Sequence, residues 1–132
     1  MRRQFTVPLE DLEWLESRGK PYELVAEGGV LRVVVDEFTI PSGYNIAQAK
    51  ANVRLDPGYP DSQIDMVYFY PALARLDGHP IKALCEDQFD GKCWQRWSRH
   101  RTGANPWRPG LDNLATHFEL VTHWLARELR NP

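Results

Sequence analysis

Cysteine is scarce in this chain: there are two, Cys85 and Cys93, eight residues apart. That excludes a disulfide framework and points to a reduced protein with two free thiols. Long hydrophobic runs are missing as well. None approaches the roughly 20 residues needed to cross a membrane, so no membrane partner is expected. The opening Met1-Arg2-Arg3-Gln4-Phe5 holds neither the apolar stretch nor the small-residue cleavage site of a secretory signal. A cytoplasmic location is therefore expected. Charge of one sign is not in excess: the formal net charge is -2, which names no polyanionic partner. There is no internal repeat, no low-complexity segment, no phosphate-cradling glycine loop and no Ser/His/Asp signature. Glu86, Asp87 and Asp90 cluster, but nothing in their spacing holds two carboxylates across a pocket.

What is present suits one domain over residues 1–132. Hydrophobic residues make up 42%, and five each of Trp, Tyr and Phe supply enough bulk to close a core. A first helix is expected from Pro8 to Ser17. Thr6 would cap it, Pro8 fits its first turn, and Glu10 and Asp11 suit the positive end of its dipole. Leu9, Leu12 and Leu15 would form its apolar stripe. Tyr22 to Ala26 and Val30 to Phe38 read as strands around the turn Glu27-Gly28-Gly29. Ala49, Ala51, Val53 and Leu55 alternate with Lys50, Asn52 and Arg54, the pattern of a strand with one wet face. Met66 to Tyr70 makes a fourth strand, and the short connections favour an antiparallel meander.

Ala72 to Gly110 has no clear period, yet it holds three of the five tryptophans. A stretch of that kind in a small domain is usually functional or disordered, and the tryptophans argue against disorder. A last helix opens at Asp112, read as its cap. Leu114, Phe118, Val121, Leu125 and Leu129 line one of its faces. The expected class is α+β: an N-terminal helix, a four-stranded antiparallel meander, an irregular cysteine-bearing segment and a packed C-terminal helix.

This order, with Tyr59-Pro60 before the fourth strand and Trp107-Arg108-Pro109 before the last helix, resembles the ubiquitin-conjugating-enzyme superfamily. A narrower set resembles its bacterial branch, the prokaryotic ubiquitin-conjugating-like family E. The matching residues are Pro41-Ser42-Gly43-Tyr44, Gly58-Tyr59-Pro60, Asp65-Met66, Trp94 to His100, Trp107 to Asp112, and Thr116-His117. The resemblance implies a cysteine that carries a ubiquitin-like protein as a thioester. It also implies an activating enzyme, a ubiquitin-like protein and a metal-dependent isopeptidase as partners, with antiviral defence among the roles of such systems. No metal or organic cofactor is required by that chemistry.

A thioester carrier needs an accessible sulfur and a group that stabilises an oxyanion. Cys85 lies 25 residues after Pro60, the spacing familiar in typical conjugating enzymes, beside Lys82, Glu86 and Asp87. Cys93 is the alternative nucleophile. It follows Gly91-Lys92, but Trp94 and Trp97 flank it, and a thiol among tryptophans reads as buried packing. Typical members place His-Pro-Asn before the cysteine. Here His79-Pro80 runs into Ile81, so that amide is absent.

His100 is the candidate to orient or deprotonate an attacking amine. Trp107 and Pro109 are expected to shape the loop, with Asp112 as a cap. Glu10 and Glu13 are the acidic positions of the helix that meets the activating enzyme in the superfamily. His117 and His123 lie six apart on different helix faces, which is poor metal geometry. A catalytically inactive module that only binds ubiquitin-like proteins is the alternative. Lys92, Arg96, Arg99, Arg101 and Arg108 among tryptophans leave nucleic-acid binding as a weaker third reading, and no nucleic-acid partner is expected.

Overall fold

The structure is a computed structural model that describes residues 1–131. The elements run α1 (Leu9–Ser17), β1 (Tyr22–Glu27), β2 (Val30–Thr39), β3 (Gln48–Leu55), β4 (Val67–Tyr70), β5 (Leu84–Phe89), β6 (Lys92–Trp97) and α2 (Leu114–Glu128). The class is α+β as expected, with the first four strands close to their expected bounds. The expected strand count is corrected. Six strands form one antiparallel sheet in the order β1-β2-β3-β4-β6-β5.

The two extra strands lie in the segment read as irregular. Asp90 and Gly91 join them with φ of 54° and 69°. Two positive φ values in a two-residue loop make the turn whose twist matches a hairpin, and Asp-Gly is a preferred sequence for it. Gly28 and Gly29, at φ 58° and 80°, close the β1–β2 hairpin the same way.

Both helices cover one face of the sheet. Leu15, Val33, Val35, Ala51, Val53, Phe69, Trp97, Leu114, Phe118, Val121 and Leu125 fill the space between. Trp14 stacks on Phe118 at 5.3 Å. The stripe expected on α1 is wrong in detail. Leu9 and Leu12 are exposed, and the buried positions are Asp11 and Leu15, one helical turn apart. Thr6 does not cap this helix; Pro8 occupies the N-cap without a side-chain bond.

The opposite face is not simply wet. Val25, Val34, Tyr68, Phe89 and Trp94 form a second buried cluster there. The sheet curls so that β5 comes back over β2: Asp87 pairs with Arg32 at 2.9 Å, and Asp90 with Arg2 at 2.6 Å. The Arg32 guanidinium lies 4.4 Å from the Phe89 ring and 4.8 Å from Tyr68. Asn52, expected to face solvent, is buried under this closure.

α2 also starts differently from expectation. Asn113 is the N-cap, accepting from the Thr116 amide at 3.1 Å, while the Thr116 hydroxyl accepts from the Asn113 amide at 2.9 Å. Asp112 is buried and accepts from the Arg108 amide at 2.7 Å instead of serving as the N-cap. Burial raises its carboxyl, but that amide bond, the Thr116 side chain and the nearby Arg108 and Arg101 outweigh it, leaving the group below the usual carboxylate range.

Candidate functional site

The β5–β6 hairpin carries both thiols. Its register sets Leu84 opposite Trp97, Cys85 opposite Arg96, Glu86 opposite Gln95, and Gln88 opposite Cys93. Side chains alternate along a strand, and directly opposed residues share a face. Cys85 therefore shares its face with Arg96, Trp94 and Asp87. Cys93 shares the other face with Gln88, Gln95 and Glu86. The thiols point to opposite sides of one hairpin.

Both cysteines are free and exposed. For Cys93 this corrects the expectation of a packing thiol. Trp94 goes to the second cluster and Trp97 to the helix-side core, each fully buried. Cys93 lies near the hairpin turn, beyond the helices, with exposed Gln88 across from it. Neighbours in sequence are not neighbours on a strand face. A cavity of about 300 Å³ opens beside the hairpin, lined by Ala72, Leu84, Cys85, Glu86, Cys93 and Gln95 among others.

The strand carrying Cys85 is the outermost of the sheet, with β6 on its inner side and no strand on its outer side among the described residues. The other sheet edge is covered. The Leu24 amide donates to Arg2 and the Gln4 amide donates to Leu24, laying the N-terminal segment along β1. Cys85 is thus reached from outside without crossing another strand.

His100 lies in the loop after β6. Its Nδ1 is 2.7 Å from Asp65 Oδ2, and its side chain is 59% exposed. The loop is tied down on each side: the Ser98 amide donates to Ala83, and Arg99 binds Lys82 and Glu128. His100 lines a different cavity, with Trp124 and Arg127. No hydrogen bond joins it to either thiol among the described residues, and the structure does not gather His100 and Cys85 into one pocket.

Next to Asp65, the Met66 carbonyl accepts from His117 Nε2 at 2.8 Å, and the Met66 amide donates to Arg99. Donation from Nε2 leaves Nδ1 as an acceptor, 3.4 Å from Arg101. Burial pushes His117 down to about 4, so it is neutral and holds the entry to β4. His123 is exposed at the far side of the helix.

The loop before α2 is held by its aromatic residue. Trp107 Nε1 donates to the Pro60 carbonyl at 2.9 Å, its ring lies 6.1 Å from Tyr59, and Arg101 covers it at 4.8 Å. Pro109 is exposed in the turn that returns the Leu111 and Asp112 amides to the Arg108 carbonyl. Glu10 and Glu13 are exposed on α1, with Glu10 3.5 Å from Asn113 Nδ2. The nucleic-acid reading loses its stacking platform, because Trp94 and Trp97 are buried. Arg99, Arg101 and Arg108 are engaged by Glu128 and Asp112.

Sequence reasoning names two residues here without giving either a role in the chemistry. Asp65 holds His100, and Arg96 faces Cys85. The Asp90-Gly91 pair was the available signal for the second, since recognising the turn gives the register.

The family described as prokaryotic E2 family E, a branch of the ubiquitin-conjugating class, has a model that matches residues 7–128. No curated protein and no solved structure matches the chain. The match spans α1 through the end of α2 and includes every site residue named above. The chain belongs to the prokaryotic E2 family E.

Proposed function

We propose that this protein is a conjugating enzyme that accepts a ubiquitin-like protein from an activating enzyme as a thioester on Cys85 and passes it to an amine. Family membership supports ubiquitin-like conjugation as the setting. The observation that carries the assignment to Cys85 is its exposure on the outermost strand. Two proteins must dock at the sulfur in turn, and an open edge admits both.

In the first half-reaction the Cys85 thiolate adds to the carbonyl carbon at the end of the ubiquitin-like tail. The tetrahedral adduct collapses and expels the activating enzyme's thiolate. In the second half-reaction an amine adds to the same carbon, the Cys85 thiolate leaves, and the amine gives up a proton. His100, oriented by Asp65, would take that proton once acceptor and loop come together around the loaded cysteine. Glu10 and Glu13 form the acidic face offered to the activating enzyme. Trp107, Pro109 and Asp112 keep the loop before α2 in shape. The work takes place in the cytoplasm, and a metal-dependent isopeptidase of the same system would reverse it.

Cys93 is the second reading, favoured by its own exposure and by the cavity beside it. An inactive binding module is the third. The His-Pro-Asn amide of typical members is missing before Cys85, and His79 is spent on Asp77, 3.3 Å away. The test is incubation with the activating enzyme, ATP and the ubiquitin-like protein of the same system. A reducible gel shift is expected in wild type and Cys93→Ala and not in Cys85→Ala. The reverse pattern moves the site to Cys93, and no shift in wild type leaves the binding module.

A further inference from the structure

We propose that Arg96 is the anion-holding residue at Cys85 and stabilises the oxyanion of each thioester step. This rests on the reading of Cys85 as the carrier. The hairpin register places Arg96 directly opposite Cys85 on the same face. On its other side Arg96 pairs in register with Tyr68 of β4, which is buried. The backbone of Arg96 is thus held between two paired strands rather than in a loop, which fixes where its side chain starts.

Its lack of a partner separates it from its neighbours. Arg32 is bound by Asp87, Lys92 by Asp90, Arg99 by Glu128, and Arg101 and Arg108 by Asp112. Arg96 forms no ion pair and no side-chain hydrogen bond among the described residues; its Nε is buried without an acceptor, as are those of Arg32 and Arg101, so the missing ion pair is what sets it apart. Asp87 shares this face two residues from Cys85; it forms an ion pair with Arg32 at 2.9 Å, and its Oδ2 has no hydrogen-bond partner. A half-buried guanidinium with an unsatisfied N–H is costly. An anion that forms and disappears beside it would meet that cost only when the reaction runs.

The chemistry supplies such an anion twice. When the Cys85 thiolate adds to the incoming carbonyl, the C=O electron pair moves onto oxygen. It returns when the activating enzyme's thiolate departs. When the amine adds, the charge reappears on the same oxygen, and it returns as the Cys85 thiolate leaves. Arg96 offers several N–H donors and a charge that does not titrate. It would supply what the missing His-Pro-Asn amide supplies in typical members.

The first test needs no partner protein. In a Cys93→Ser background Cys85 is the one thiol, and its alkylation displaces iodide from either iodoacetate or iodoacetamide. The anionic reagent gains from a nearby guanidinium and the neutral one does not. Arg96→Gln is expected to lower the iodoacetate-to-iodoacetamide rate ratio about fivefold, and Arg96→Lys to keep most of it. Thermal unfolding of each variant shows whether the hairpin is intact. With the loaded system, Arg96→Gln is expected to slow charging and discharge at least about tenfold with KM for the donor little changed.

An unchanged alkylation ratio in a folded Arg96→Gln protein overturns the proposal, whatever the transfer activity. A lowered ratio together with no adduct in the wild type refutes the carrier reading instead and leaves the anion site standing.

Discussion

The carboxylate of Asp11 in α1 accepts the backbone amide of Leu114, the first residue of α2, at 3.1 Å. Its other oxygen accepts the Tyr59 hydroxyl at 2.7 Å. One buried acid thus joins the first helix, the Tyr-Pro turn and the positive end of the last helix. Burial raises its carboxyl, and the two hydrogen bonds offset only part of that.

Removing this group orphans a hydroxyl and a helix-terminal amide in the interior. Asp11→Ala is expected to cost about 2–4 kcal/mol, and Asp11→Asn less, because an amide oxygen still accepts. Urea unfolding measures both. A loss below about 0.5 kcal/mol for the alanine variant would show that the three elements dock without it.

His117 gives the fold a pH dependence whose sign is set by burial. Unfolded, it titrates near 6.5; folded, at about 4. Between these values the unfolded chain binds more protons, so stability from this group is complete above about pH 6.5. It declines as pH falls towards 4, by on the order of 3 kcal/mol in all. His117→Gln keeps a donor for Met66 without titrating. The difference in unfolding free energy between wild type and variant should therefore change between pH 7 and pH 4.5. Parallel curves over that range would contradict the assignment of a neutral, buried imidazole.

The proposed role of His100, held by Asp65, distinguishes accepting a ubiquitin-like protein from donating it. His100→Gln is expected to leave the fold and the charging rate unaltered. It should slow discharge to free lysine at least about tenfold, and Asp65→Asn should slow it less. Single-turnover discharge of preloaded enzyme measures this. Equal discharge rates would confine His100 to holding the loop.

Much of the frame was legible because local chemistry agreed with global packing. Gly28-Gly29, the alternation from Ala49 to Leu55 and the stripe from Leu114 to Leu125 each name an element that exists. β5 was illegible from periodicity, since Cys85-Glu86-Asp87-Gln88 is a polar run on an edge where little is buried. Asp11 was misjudged for another reason. An acid in a first turn reads as a solvated partner of its own helix dipole, but its partners lie 48 and 103 residues away. Cys93 reads as packed from its chain neighbours, and strand alternation sends those neighbours elsewhere.

The position of the acyl bond tests the account most directly, and the sequence makes it easy to read. Lys82, Lys92 and Arg96 let trypsin place Cys85 on peptide 83–92 and Cys93 on peptide 93–96. Mass spectrometry of the acid-quenched, unreduced adduct should find the tail remnant of the ubiquitin-like protein on peptide 83–92, lost on treatment with thiol. A remnant on peptide 93–96, or one that survives thiol on a lysine alone, would contradict Cys85 as the carrier.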